Sequence, residues 1–150
     1  MKSMIQAAAV LVLVGLSACA NGPTLQESRA NVPPVPADRG RIYFYRTASP
    51  IGSVIQPSVR LDGVIVGESI PNAVFFCDVA PGRHTASVES EVEKSTEVEV
   101  AIAQSAFVKM DAGTGWLYAR VQIEVVPPET GASEAAASSL IASSCPASAI

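Results

Sequence analysis

The residues able to do chemistry are few, and most stand alone. Cys19 follows Leu16-Ser17-Ala18 at the end of an apolar run. That pattern has the form of a lipobox, in which the thiol is alkylated by diacylglycerol, the chain is cut ahead of the cysteine and the new amine is acylated. His84 is the single histidine, so any imidazole base, proton shuttle or metal ligand must be this residue. A Ser-His-Asp triad using Asp78 can be drawn, yet no serine sits in G-x-S-x-G or S-x-x-K. Coming just after Pro81-Gly82, His84 reads instead as a strand residue opposite Val79, and no catalytic residue is assigned. Zinc needs several His or Cys at short spacing, and Cys77 and Cys145 are isolated. Glu89, Glu91, Glu93, Glu97 and Glu99 suggest calcium at first sight. Their period of two makes them the wet face of two strands, whereas calcium needs a loop that wraps the ion. Gly113-Thr114-Gly115 reads as a turn, because no helix follows it to cradle a phosphate. No metal and no cofactor is expected.

The leader that carries Cys19 has one positive charge, Lys2, and an apolar stretch from Met4 to Leu16 interrupted by Gln6 and Gly15. It is too short to span a bilayer and has the length of a signal-peptide core. Residues 1–18 are therefore set apart from the fold. Two processing readings compete. Either Cys19 is acylated, or Ala18-Cys19-Ala20 is an A-x-A-like site for ordinary secretion and Cys19 is discarded. In the first reading several acyl chains hold the chain stably on a membrane. Ala20, rather than aspartate, follows the cysteine, which places the expected location at an outer membrane, facing the periplasm.

From Cys19 onward 132 residues remain, room for one domain and tails. Without Lys2 the 10 basic side chains become 9 against 14 acidic ones, a net charge of −5. Such a chain is not expected to bind nucleic acid through phosphate contacts or anionic headgroups by charge alone. With Cys19 acylated, Cys77 and Cys145 form an even pair in an exported protein. They are either a disulfide closing a loop of about 70 residues or two free thiols, one of them a small buried hydrophobe.

Residues 19–38 carry Pro23, Pro33, Pro34 and Pro36 and read as a flexible linker of about 25 Å as a coil and roughly 60 Å stretched. The domain spans 39–126. Arg41-Ile-Tyr-Phe-Tyr-Arg46 is β-branched and aromatic on both faces, the mark of a central strand. Val59 to Leu61 and Val64 to Val66 flank Asp62-Gly63, a two-residue type I′ loop, which sets Leu61 opposite Val64 and Val59 opposite Val66. Further strands are expected at Val74–Val79, His84–Val92, Glu97–Ile102, Ala106–Met110 and Trp116–Val126, the last with Tyr118 outward. Their turn-punctuated spacing predicts an all-β fold, an antiparallel β-sandwich of about seven to eight strands. Residues 127–150 are Ala/Ser-rich, either a disordered tail or a short helix over Ser133–Ser144 that docks Leu140 and Ile141.

Arg41-Ile-Tyr-Phe-Tyr-Arg46, then Val59-x-Leu61-Asp62-Gly63, Val66-Gly67-Glu68, a Phe75-Phe76 strand and Pro81-Gly82-x-His84 together resemble the bacterial lipoprotein family catalogued as domain of unknown function 2846. The likeness covers residues 40 to 126. It implies a β-sandwich envelope lipoprotein and brings no catalytic residue with it. Of the aromatics, Tyr43, Tyr45, Trp116 and Tyr118 are either core or stacking platforms for a sugar, with Trp116 and Tyr118 the ligand-binding candidates. Arg41, Arg46 and Arg60 serve either cross-strand ion pairs or an anionic partner. The expectation is an exported, lipid-anchored, non-catalytic binding or assembly module with an envelope protein partner. The alternatives are a structural lipoprotein that binds cell-wall glycan and, less well supported, an envelope hydrolase.

Overall fold

A computed structural model describes residues 20–90, 92–113 and 120–146. In chain order the strands are β1 (Gly40–Arg46), β2 (Ser58–Leu61), β3 (Val64–Glu68), β4 (Ala73–Val79), β5 (Gly82–Glu89), β6 (Lys94–Val100), β7 (Ser105–Gly113), β8 (Arg120–Val126) and β9 (Ser139–Leu140), with helix α1 (Pro128–Ala136) before the last. They form a sandwich of a five-stranded sheet, β8-β7-β1-β4-β9, on a four-stranded one, β3-β2-β5-β6. The all-β sandwich with a short C-terminal helix is thus the observed fold. Two of its ladders, β1–β7 and β4–β9, are parallel.

β1 lies third of five because both of its faces are apolar. Ile42 and Phe44 point into the core between the sheets, where Phe44 stacks on Phe75 at 5.2 Å. Tyr43 and Tyr45 point the other way, into a second, smaller apolar layer with Val74, Phe107 and Ala135. Helix α1 covers that outer face. Gly131 makes the approach possible, since an added Cβ there would overlap Cβ and Cγ of Phe107. Alanine is the better helix former by about 1 kcal/mol, but the overlap outweighs it. Gly131→Ala is expected to destabilise by about 1–3 kcal/mol, read as a lower urea midpoint. An unchanged or raised midpoint would show that the helix is not seated on Phe107.

The Asp62-Gly63 hairpin forms as expected, with φ of 50° and 83° at its two central residues and Leu61 opposite Val64. A bulge follows, so Val59 meets Gly67 instead of Val66. Val66 is the extra residue and still turns into the core.

Four expectations are corrected. Residues 20–38 do not form a free linker. Ala20 N–H donates to Pro71 O at 3.0 Å, Leu25 N–H to Ser138 O at 2.9 Å, and Leu140 N–H to Pro23 O at 3.0 Å. Thr24 and Glu27 close a reciprocal capping box, Thr24 N–H on Glu27 Oε2 at 2.8 Å and Glu27 N–H on Thr24 Oγ1 at 3.2 Å. These bonds to Thr24, first its backbone N–H, hold the Glu27 carboxyl below its usual range. The C-terminal helix begins at Pro128, whose fixed φ suits a first helical turn, and ends at Ala136. Leu140 then lies in β9 rather than in a helix. β7 runs on past Met110, its expected end, through Asp111 to Gly113. Finally, His84 does not face Val79. It pairs with Val98, because Ala80–Gly82 carries the chain from one sheet to the other.

Candidate binding cleft

Three segments distant in the chain enclose a cleft of about 580 Å³ on the outer face of the five-stranded sheet. Tyr43 of β1 and Phe107 of β7 form its floor, adjacent in the parallel register and stacked at 5.1 Å with 7° between their planes. Leu25, Val32 and Pro33 form one wall, and Ala132, Ser133 and Ala136 of α1 the other. Arg29 stands exposed on the rim. The lining mixes apolar side chains with polar and charged ones, among them Gln26, Arg29, Arg41, Ser105 and Ser133, and such a mixed concavity can seat a small ligand or a peptide segment.

Arg41 closes one end of this floor. Its guanidinium makes a two-pronged ion pair with Asp78 across the β1–β4 ladder, Nε to Oδ1 at 2.6 Å and Nη2 to Oδ2 at 2.8 Å. Nη1 donates to Pro33 O at 2.8 Å, and the group lies 4.0 Å over the Phe76 ring. Burial works against the charge, but the Asp78 carboxylate and Tyr43 outweigh it and raise its pKa. Arg41 therefore braces the cleft wall through Pro33 with its charge already answered. Arg46 is likewise buried, donating to the carbonyls of Gly52, Ile55 and Ser69. Arg60 pairs with Glu89 at 2.9 Å. These three arginines serve internal pairing and support rather than a common cationic patch for an anionic partner.

A second polar group lies beside the cleft under α1. Tyr45 donates to Glu134 at 2.7 Å, and Lys109 pairs with Glu134 at 3.0 Å and Asp111 at 3.3 Å. Burial, reinforced by Glu134, raises the Tyr45 phenol. The Tyr45 and Lys109 hydrogen bonds lower Glu134, and Glu134 foremost raises Lys109. The signs follow. The Glu134 contribution is present above the ordinary carboxylate pKa and lost as pH falls through the lowered folded value. Those of Lys109 and Tyr45 are present below their ordinary values and lost as pH rises beyond them. Stability should sag at both extremes. Glu134→Gln should flatten the acid limb of a midpoint-against-pH curve, and an unaltered limb would assign it to other carboxylates.

The triad drawn from Asp78 and His84 is not assembled. Asp78 is committed to Arg41, and His84 Nδ1 meets Asp62 Oδ2 at 2.6 Å. Nε2, the atom that would serve a nucleophile, lies 2.7 Å from Ala80 O. Asp62 also accepts Thr85 N–H at 2.8 Å, so His84 ties the hairpin loop to the crossing between sheets. Glu89, Glu97 and Glu99 are exposed on β5 and β6, with Glu97 3.7 Å from Arg83. Cys77 and Cys145 are joined as a disulfide with Cα atoms 5.7 Å apart. Leu16, Ser17, Ala18, Cys19, Trp116 and Tyr118 lie outside the described residues.

A family model described as "Protein of unknown function (DUF2846)" matches residues 36–128. The chain belongs to this family. A relative by sequence, named "Uncharacterized protein", from Haemophilus influenzae (strain ATCC 51907 / DSM 11121 / KW20 / Rd), is 26% identical over 132 residues, covering 84% of this chain and 77% of that protein. The DUF2846 match takes in β1 to β8 and stops at Pro128. It leaves out most of the N-terminal wall of the cleft and almost all of α1. The floor of the cleft thus lies within the family domain, whereas its walls come largely from flanking segments.

Sequence reasoning pointed to Tyr43 and Arg41 but not to the cleft that unites them with Leu25, Arg29, Phe107 and Ser133. The Thr24-x-x-Glu27 spacing was the available signal that the N-terminal segment is ordered.

Proposed function

We propose that this protein is an acylated envelope lipoprotein whose β-sandwich is a non-catalytic binding module, with the cleft over Tyr43 and Phe107 as its binding surface. One observation carries the binding role. The chain brings two flanking segments onto an otherwise complete sandwich, and together they shape a cleft of ligand size with an aromatic floor, mixed polar and apolar walls and a cation at its rim. Leu16-Ser17-Ala18-Cys19 supports the anchor, and the Cys77–Cys145 disulfide suits an oxidising compartment. The partner is an envelope protein presenting an apolar segment to the cleft. In-cell crosslinking followed by pull-down of the mature protein tests this, with Cys19→Ala and Tyr43→Ala as comparisons. A specific envelope protein that is lost with both substitutions supports the reading. An identical catch from Tyr43→Ala would move the contact off the cleft. Incorporation of labelled palmitate that persists in Cys19→Ala would refute acylation at this residue.

The Tyr43 ring favours a second reading, a cell-wall glycan stacked on the cleft floor. Mixing the protein with purified peptidoglycan discriminates the two. Co-sedimentation abolished by Tyr43→Ala selects the glycan, and protein left in the supernatant eliminates it.

A further inference from the structure

We infer that the end of the sandwich carrying the loop 47–56 rests on the lipid surface, with Ile51 and Val54 inserted between headgroups. This builds on the anchor proposed above and adds an orientation to it. Arg46 is opposite Ala73 in the β1–β4 ladder, so the loop after β1 and the turn before β4 lie at the same end. Ala20 is tied twice to that turn and once to β9 beside it. Its N–H donates to Pro71 O at 3.0 Å, and its carbonyl accepts from Asn72 Nδ2 at 3.1 Å and Ser139 Oγ at 3.3 Å. Ala20 is thereby fixed at this end of the fold. Cys19 is the next residue, about 3.8 Å away from Cα to Cα. No spacer lies between a lipid on Cys19 and this end of the fold.

The loop there has the chemistry for such a surface. Thr47 to Gln56 contains no charged residue. Val54 is 84% exposed and Ile51 48%. They are displayed rather than collapsed because the buried Arg46 holds the loop from below. It binds Gly52 O and Ile55 O, each at 2.8 Å, while Ile55 packs on the core. Two aliphatic side chains would not hold a protein on a bilayer. Beside an anchor that already fixes the domain there, a weak contact is enough to set its attitude. Val92, on the neighbouring β5–β6 turn, is half exposed but flanked in sequence by Glu91 and Glu93, so it is left out of the contact. The cleft is not at this end, because Pro33 meets Arg41 near the start of β1. It stays open along the side of an upright domain.

The test uses the full mature protein, reconstituted in phosphatidylethanolamine/phosphatidylglycerol vesicles. An environment-sensitive dye is placed on Val54→Cys and, in a separate sample, on Ile102→Cys. Ile102 is 55% exposed, in the turn between β6 and β7 at the opposite end. The disulfide and the acylated Cys19 leave only the introduced thiol to react. Dye at position 54 should shift to the blue and lose about half its emission to spin-labelled lipid, as befits the headgroup boundary, while 102 stays water-like. Vesicle-bound protein with 54 water-like, or with 54 and 102 quenched alike, would overturn the orientation and leave the anchor standing. Protein that fails to float with the vesicles would remove the anchor reading, and the orientation with it.

Discussion

Replacing Asp78 by alanine is expected to destabilise the domain by about 3–5 kcal/mol, the range for removing one partner of a buried ion pair. The side chain of Arg41 is 2% exposed, and that of Asp78 is 27% exposed. Loss of the carboxylate leaves a guanidinium confined between Phe76 and the Pro33 carbonyl, with no countercharge and little access to water. Water entering where Asp78 stood places the effect toward the lower end of that range. The cost lies in the orphaned charge rather than in the pair itself, which a double substitution can separate. Arg41→Met with Asp78→Ala should recover much of the loss, because neither charge then remains. Arg41→Lys should fall between, keeping the charge but not the planar two-pronged fit. Urea midpoints of the four proteins at neutral pH decide this. An Asp78→Ala midpoint within about 0.5 kcal/mol of the parent, the scatter of a neutral surface change, would mean that Arg41 finds water on its own. The cleft should respond too, since Arg41 holds its wall through Pro33.

What could be read from the chain, and what could not, follows the range of the interactions. β1 was legible because a strand covered on both faces must be apolar on both, and Ile42, Phe44, Tyr43 and Tyr45 satisfy that within one segment. The Asp62-Gly63 hairpin was legible because its turn chemistry is local, although the bulge that displaces Val66 was not. The sheet to which each strand belongs was hidden. Ala80–Gly82 and Ala101–Gln104 look like hairpin turns, yet both carry the chain between sheets. A tight corner in a sandwich and a hairpin call for the same Pro, Gly and polar residues, so only the partners distinguish them. That is why His84 was set against Val79 instead of Val98. The N-terminal segment was misread for a related reason. Prolines mark extended backbone whether it is free or docked, and here Leu25 and the Thr24–Glu27 box dock it. The cleft needed all of these placements at once, since its floor and walls come from three separate regions of the chain.

Opening the Cys77–Cys145 disulfide is expected to lower stability by about 4 kcal/mol on the chain-entropy account, which scales with the length of the closed loop. The two cysteines are 68 residues apart, so the bond removes many conformations from the unfolded chain. It also has work to do in the folded state. Beyond β9 the chain runs on beside β4 and toward β3, held by Ile141 N–H on Val74 O at 2.9 Å and Ser144 N–H on Val66 O at 2.8 Å. Such a sparse ladder would open readily without a covalent tie. Cys77 is buried in β4, so the tie reaches the core directly. Urea unfolding of the oxidised protein, the reduced protein and the Cys77→Ala/Cys145→Ala double variant separates the two contributions. If the chain-entropy account holds, the reduced protein and the variant share a lowered stability. Both also unfold with a steeper denaturant slope than the oxidised protein, because an uncrosslinked unfolded chain exposes more surface. A lowered midpoint with an unchanged slope would place the effect in the folded tail instead. Equal midpoints for oxidised and reduced protein would mean that the cross-link adds nothing to a sandwich already complete without it.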